Sequence, residues 1–118
     1  MNKVVKSLRG NYVSSDPIAE NIQTQRDILD LLVYFGETGS SRVLIKEGAL
    51  HPDFFDLSSG IAGDITLKLS TYRVKTAIVV DLAEVKSERF QEWADESNRG
   101  GDIHFTGSEK EAEEWLLR

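Results

Sequence analysis

The chain has 118 residues, of which 40% are hydrophobic and 29% are charged, and its formal net charge is -6 at pH 7. These values are typical of one globular domain and disfavour a disordered chain. The sequence contains no cysteine, which excludes disulfides, thiolate nucleophiles and cysteine-ligated zinc.

The basic residues are scattered along the sequence, and nucleic-acid binding depends on clustered lysine and arginine. No apolar run approaches the ~20 residues that cross a bilayer, and the start lacks the apolar core of a signal peptide. We therefore predict a cytoplasmic single domain over residues 1–118, with neither nucleic acid nor membrane as a partner.

Residues 1–14 predict a β-hairpin, because two short strand-like runs flank the turn-like sequence "RGN". The segment after it predicts a helix over residues 24–35, where apolar residues recur at helical spacing behind a candidate cap, Thr24. Residues 42–47 are rich in branched apolar side chains and predict a strand.

A second helix is indicated by Ile61, Ile65, Leu69 and Tyr72, which follow one another at steps of four, four and three. This spacing puts the four residues on one face of a helix. Residues 74–82 are almost continuously apolar, as a strand covered on both faces requires.

Ser87 is a candidate cap for a third helix, which the sequence "NRGG" ends. Residues 102–107 then predict a strand, in which His104 should have a half-exposed packing role. Ser108 and Glu111 have the spacing of a capping box and predict the start of a final helix.

The order of these elements predicts an α/β fold with an N-terminal hairpin, parallel core strands and crossover helices. Strands that alternate with helices pair in parallel, because each crossover returns the chain to the same end of the sheet.

The blocks "PDFFDL", "GIAG", "YRVK" and "ESN" resemble the bacterial family catalogued as domain of unknown function 4180, and the resemblance covers residues 24–117. That family, as its name says, implies no activity.

The segment "DLSSGIAG" is also similar to STAS domains, the sulfate-transporter and anti-sigma-factor-antagonist modules, which share this order of elements. In those domains a "DSSG" motif precedes the second helix, and its first serine receives phosphate from a partner kinase. Ser58, Ser59 and Gly60 align with the motif, whereas Leu57 stands at the position of its aspartate and Asp56 precedes it. The resemblance implies a STAS-like domain with a regulatory protein partner.

We expect Asp56, Ser58 and Ser59 to act mainly as caps of a helix that begins near Ser58. Aspartate and serine are common N-capping residues, and a cap contributes about 1 kcal/mol. A helix N-terminus also holds a phosphate well, so a phosphoserine switch at this position is the functional alternative.

Gly60 and Gly63 fall inside the predicted helix, where glycine costs about 0.5 to 1 kcal/mol relative to alanine. With Ala62 they leave a strip of small residues. We expect the strip to pack closely on the helix's own sheet; a ligand or the second subunit of a homo-oligomer is the alternative.

A rim of polar residues is predicted at the carboxyl ends of the core strands, where ligands of parallel sheets usually bind. Glu47 and Asp81 follow two of these strands, and His51 and Asp53 lie in the loop after Glu47.

The rim contains Ser58, His51 and Asp81, the residue types of a nucleophile, a base and an orienting carboxylate, but no nucleophile motif accompanies them. The spacing of Glu47, His51 and Asp53 matches no recognised metal site. We predict no catalytic residue, no metal ligand and no cofactor.

The sequence favours a non-catalytic regulatory or protein-interaction module with an unidentified protein partner. The predicted docking residues are Asp53, Asp56, Ser58, Ser59, Gly60 and Gly63. The alternative is a small ligand-binding protein or enzyme that uses Glu47, His51 and Asp81.

Overall fold

The computed structural model describes residues 2–7, 10–15 and 41–118. The strands are β1 (Asn2–Ser7), β2 (Gly10–Ser15), β3 (Arg42–Lys46), β4 (Lys75–Val79) and β5 (Ile103–Thr106). The helices of these residues are α1 (Ile61–Thr71), α2 (Glu88–Asn98) and α3 (Glu109–Leu116). The helix predicted for residues 24–35 lies outside the described residues.

The strands form one sheet in the order β1-β2-β3-β4-β5. β1 is antiparallel to β2, which confirms the predicted hairpin, and β2, β3, β4 and β5 pair in parallel. α1 joins β3 to β4, and α2 joins β4 to β5. The predicted α/β fold with a parallel core is therefore confirmed.

The central strands are covered on both faces, as their continuous apolar character predicts. Along β3, Val43 and Ile45 belong to one core cluster and Leu44 to another, because successive side chains of a strand point to opposite faces. All three side chains are buried. The sheet is the middle layer of the described part of the chain.

Different helices cover the two faces of the sheet. α1 and α2 bury Ile65 and Phe90 in the core cluster on one face, whereas α3 packs Ala112 and Leu116 against Ala77 on the other. Burying a large apolar side chain stabilises a protein by roughly 1.5–3 kcal/mol. These two clusters therefore hold the strand ends, and the loops that leave them, in place.

The helix predicted to begin near Ser58 begins at Ile61 instead. A short 3-10 turn, Leu57–Ser59, comes first, and Gly60 follows it in the left-handed region at φ 79° and ψ -8°. The backbone must leave the left-handed conformation before α1 can start. Tyr72, which the spacing places on one face of this helix, lies just beyond the last helical residue and is 51% exposed.

The predicted close packing of the glycine strip is also wrong. Gly60 precedes the helix, and Gly63 is exposed. A Cβ atom placed on either residue would meet no atom within 4 Å. Only Ala62 of the strip is buried.

The predicted caps of the other two helices are confirmed. Ser87 Oγ accepts a hydrogen bond from the Phe90 N-H at 3.2 Å, and Ser108 Oγ accepts one from the Glu111 N-H at 3.2 Å. Within residues 41–118, every helix is too short or too polar to cross a membrane.

Candidate functional site

The candidate site lies where β3 and β4 end. These strands are parallel neighbours, with Lys46 paired to Val79, so the segments that follow them leave the sheet at the same edge. Residues 47–60 lead from β3 to α1, and residues 80–87 lead from β4 to α2. We call the first segment the β3 loop and the second the β4 loop.

Aromatic packing anchors the β3 loop. Phe54 is fully buried, and its ring centroid lies 5.4 Å from that of Phe55, 5.9 Å from that of Phe90 and 6.5 Å from that of Trp93. Aromatic pairs at these distances stabilise a core beyond their area of burial. The half-buried Phe55 also contacts Phe90, with ring centroids 5.3 Å apart, so its position at the surface is fixed.

The polar side chains of the β3 loop form hydrogen bonds with backbone and side-chain groups of the same loop. His51 Nδ1 accepts a hydrogen bond from the Asp53 N-H at 3.1 Å. Asp56 Oδ1 accepts from the Ser58 N-H at 3.0 Å and from the Ser58 hydroxyl at 2.6 Å. The side-chain hydrogen bond and then the backbone one lower the pKa of Asp56, because both stabilise its carboxylate.

The Ser59 hydroxyl connects the loop to α1. Its Oγ lies 2.7 Å from the carbonyl oxygens of both Asp53 and Asp56, to which it can donate, and it accepts from the Ile61 N-H at 3.2 Å. Ser59 therefore caps the first amide of the helix, while Gly60 supplies the turn.

Asp81 lies in the β4 loop and caps a different turn. Its Oδ1 accepts from the Ala83 N-H at 3.0 Å, at the start of the 3-10 turn Leu82–Glu84. No hydrogen bond among the described residues joins Asp81 to His51 or to Ser58. The Ser58 hydroxyl donates its hydrogen bond to Asp56 rather than to a histidine, so the arrangement is not that of a serine-histidine-aspartate triad.

A metal site is not assembled at this rim. In residues 41–118 and the two described N-terminal strands, no group of three or more histidine or acidic side chains converges closely enough to hold an ion. Glu47, His51 and Asp53 thus follow one another in the loop without forming a common ligand set.

A groove runs between the β3 loop and the β4 loop. One hollow of ≈ 400 Å³ is lined by Glu47, Pro52, Phe55, Asp56, Glu84, Val85, Lys86 and Ser87. A second hollow of ≈ 540 Å³ adjoins it and shares Glu47, Pro52 and Phe55. We call the two hollows together the rim groove.

The rim groove combines an apolar surface with excess negative charge. Pro52 and Phe55 supply apolar side chains, and Glu47, Asp56 and Glu84 supply three carboxylates against one ammonium group, that of Lys86. Glu47 and Glu84 are exposed, and neither makes a hydrogen bond or ion pair with another side chain in the described part of the chain.

The structure brings together some of the predicted site residues and separates others. Glu47 and Asp56 lie in the rim groove, whereas Asp81 is occupied in capping and Gly63 faces solvent on α1. Sequence reasoning missed Glu84 and Lys86. A signal for them existed, because both follow the second core strand at the edge already inferred for Asp81.

Comparison with known proteins gives one match. No curated protein and no solved structure shows significant similarity to the chain. The family model described as "Domain of unknown function (DUF4180)" matches residues 9–116, which include all the parallel strands and all three described helices. The chain therefore belongs to the DUF4180 family.

Proposed function

We propose that this chain is a non-catalytic regulatory or protein-interaction module, and that it docks a protein partner through the rim groove and the adjoining start of α1. The surface includes the predicted residues Asp53, Asp56, Ser58 and Ser59. A STAS-like arrangement of the domain is part of the same proposal.

The observation that carries the proposal is the combination of a fixed aromatic side chain with carboxylates that have no side-chain partner among the described residues. Phe55 is held by Phe54 and Phe90 yet lines a surface groove, and within the described part of the chain the carboxylates of Glu47 and Glu84 beside it make no hydrogen bond or ion pair with another side chain. Partly exposed aromatic side chains in a rigid setting are typical centres of protein interfaces.

The side chains that would serve catalysis support the same proposal. The Ser58 hydroxyl donates to Asp56, His51 Nδ1 accepts from a backbone amide, and Asp81 caps a turn. Each has a local structural role, which favours a binding surface over a reaction centre.

Charge-reversal variants test this proposal in the organism from which the chain comes. We expect a partner that co-purifies with the native chain to be lost with Glu47→Arg and Glu84→Arg, because both substitutions change exposed groove residues. Glu114→Arg is the matched control, since Glu114 is exposed on α3, on the opposite face of the sheet. Equal capture of the partner by all three variants would contradict the proposal.

Phosphorylation of Ser58, whose side chain is exposed, would be the switch that controls docking in this proposal. A phosphate would add roughly -1.5 to -2 charges next to Asp56 and would remove the donated hydrogen bond. Intact mass measurements on the native chain would detect the modification. If Ser58→Glu leaves partner capture unchanged, the switch is rejected and docking stands.

The second candidate function is the binding of a small molecule in the same groove, and the volume of the groove favours it. The hollow of ≈ 400 Å³ lies within the ~300–1,000 Å³ typical of ligand pockets. A thermal-shift screen against cationic metabolites tests it: a stabilising compound whose effect Glu84→Gln removes would support it, and a screen without such a compound would reject it.

A further inference from the structure

We infer that the segment docked by the rim groove carries an arginine side chain next to an apolar one. The inference rests on the proposed function and adds the chemistry of the partner. The groove has an apolar wall and an acidic margin side by side, and a short peptide with alternating arginine and leucine presents the complementary surface.

Pro52 and Phe55 form the apolar wall of the rim groove. Both line the two hollows of the groove, so the same apolar wall is available along its length. Val85, which is 9% exposed, adds a third apolar side chain to the lining of the first hollow. An aliphatic side chain placed here would remove apolar surface from water on both partners.

Three carboxylates on separate turns form the acidic margin of the rim groove. Glu47 follows β3, Asp56 ends the turn Pro52–Phe55, and Glu84 ends the turn Leu82–Glu84. Hydrogen bonds from Ser58 hold the Asp56 carboxylate in place. The excess of acid over the single cation of Lys86 favours a cationic partner group.

Arginine fits this site better than lysine. Its planar guanidinium stacks on an aromatic face and donates two parallel hydrogen bonds to a carboxylate, whereas an ammonium group does neither as well. The groove offers both features at neighbouring positions, Phe55 and the carboxylates beside it. The net charge of -6 also attracts cationic segments from a distance, with an effect that salt screens.

Fluorescence anisotropy with three labelled peptides tests the inference on the full chain. The peptides alternate leucine with arginine, lysine or glutamate between flexible ends. We expect the arginine peptide to bind best, the lysine peptide more weakly and the glutamate peptide not at all. The double variant Glu47→Gln with Glu84→Gln should weaken arginine-peptide binding about fivefold to tenfold, and rising salt should weaken it further.

Glu114→Gln is the control, because it removes one charge from the opposite face of the sheet. Equal binding of the three peptides, or equal loss with Glu114→Gln and the groove variant, would overturn the inference. If the native partner still needs Glu47 and Glu84 while the arginine peptide does not bind, the inference fails and the proposed docking stands. If neither the partner nor the peptide responds to the groove variants, both fail.

Discussion

Two glycines near the start of α1, Gly60 and Gly63, have different structural roles. Gly60 adopts φ 79°, a conformation that a side chain makes costly, and it separates the β3 loop from the helix. Gly63 has a helical conformation and open space around it. The difference lies in backbone geometry alone, since neither position is crowded.

This contrast predicts stability changes of opposite sign. Gly60→Ala should lower the free energy of unfolding by about 1–2 kcal/mol, because a side chain disfavours the left-handed region. Gly63→Ala should raise it by about 0.5–1 kcal/mol, because alanine suits a helix interior better than glycine. Urea unfolding of both variants measures the difference, and changes of the same sign would refute the geometry given for α1.

The neighbouring serines also differ, although both side chains are exposed. Ser59 Oγ forms hydrogen bonds with two carbonyls and one amide, whereas among the described residues Ser58 Oγ forms one, with Asp56. Ser59→Ala should therefore lower the free energy of unfolding by about 1 kcal/mol, and Ser58→Ala by clearly less. Thermal or urea unfolding compares them, and an equal or larger loss with Ser58→Ala would show that the capping role has been misassigned.

At the scale of elements, the outer edge of β5 is covered by a side chain of α2. β5 is the last strand of the sheet, and an unpaired edge can pair with another chain. Asn98 donates to the Phe105 carbonyl at 3.0 Å and accepts from the Phe105 N-H at 2.6 Å. The side-chain amide thus occupies the place of a neighbouring strand, which gives the "ESN" block a structural role.

Removing this amide should destabilise the chain and expose the edge. Asn98→Ala leaves a part-buried donor and acceptor unpaired, so we expect a loss of about 1–3 kcal/mol in the free energy of unfolding. Asn98→Asp retains the acceptor but places a carboxylate oxygen against the Phe105 carbonyl, so it should not restore the native stability. Unfolding curves combined with light scattering measure both effects. Wild-type stability and a wild-type association state in Asn98→Ala would be incompatible with this role.

The opposite face of the sheet holds a stacked pair. The His104 ring lies 4.8 Å from the Trp115 ring at an interplanar angle of 14°, which confirms its packing role, and Lys75 Nζ lies 4.7 Å from the same Trp115 ring. Burial lowers the pKa of His104, and the charges of Arg118 and Lys75 lower it further. The folded chain therefore holds the neutral imidazole more readily than the unfolded chain does.

The sign of the pH dependence follows from this shift. As pH falls below the usual pKa of 6.5, the unfolded chain takes up a proton that the folded chain resists, so the free energy of unfolding should decrease. The decrease ends once pH is below the pKa of the folded state. Urea unfolding across this window should show a flatter profile for His104→Gln than for the native chain.

His51→Gln is the matched control, since it removes the only other histidine of the chain and does not touch Trp115. An unchanged profile in His104→Gln, or an equal change in both variants, would mean that the stacked histidine does not carry the effect.

At the scale of the whole molecule, local patterns were enough to predict the order of the described elements. The apolar runs of β3 and β4 and the caps Ser87 and Ser108 are signals contained within a few residues. The left-handed turn at Gly60 was not predictable in this way, because a glycine in the sequence is compatible with either helix or turn.

The rim groove was only half predictable for a different reason. Glu47 and Asp56 were expected at the sheet edge. The other side of the groove is formed by the β4 loop, which is distant from them in sequence. Two parallel strands and their packed helices bring Phe55 and Glu84 to one surface. Such a juxtaposition depends on tertiary packing, which periodicity does not encode.

Photocrosslinking in the native organism tests the docking surface most directly. A photoreactive amino acid would replace Glu84 in the rim groove or, as the control, Glu114 on the opposite face. We expect a covalent adduct with a partner protein from the Glu84 position and none from the Glu114 position. An adduct from Glu114 alone, or the same adducts from both positions, would contradict this expectation.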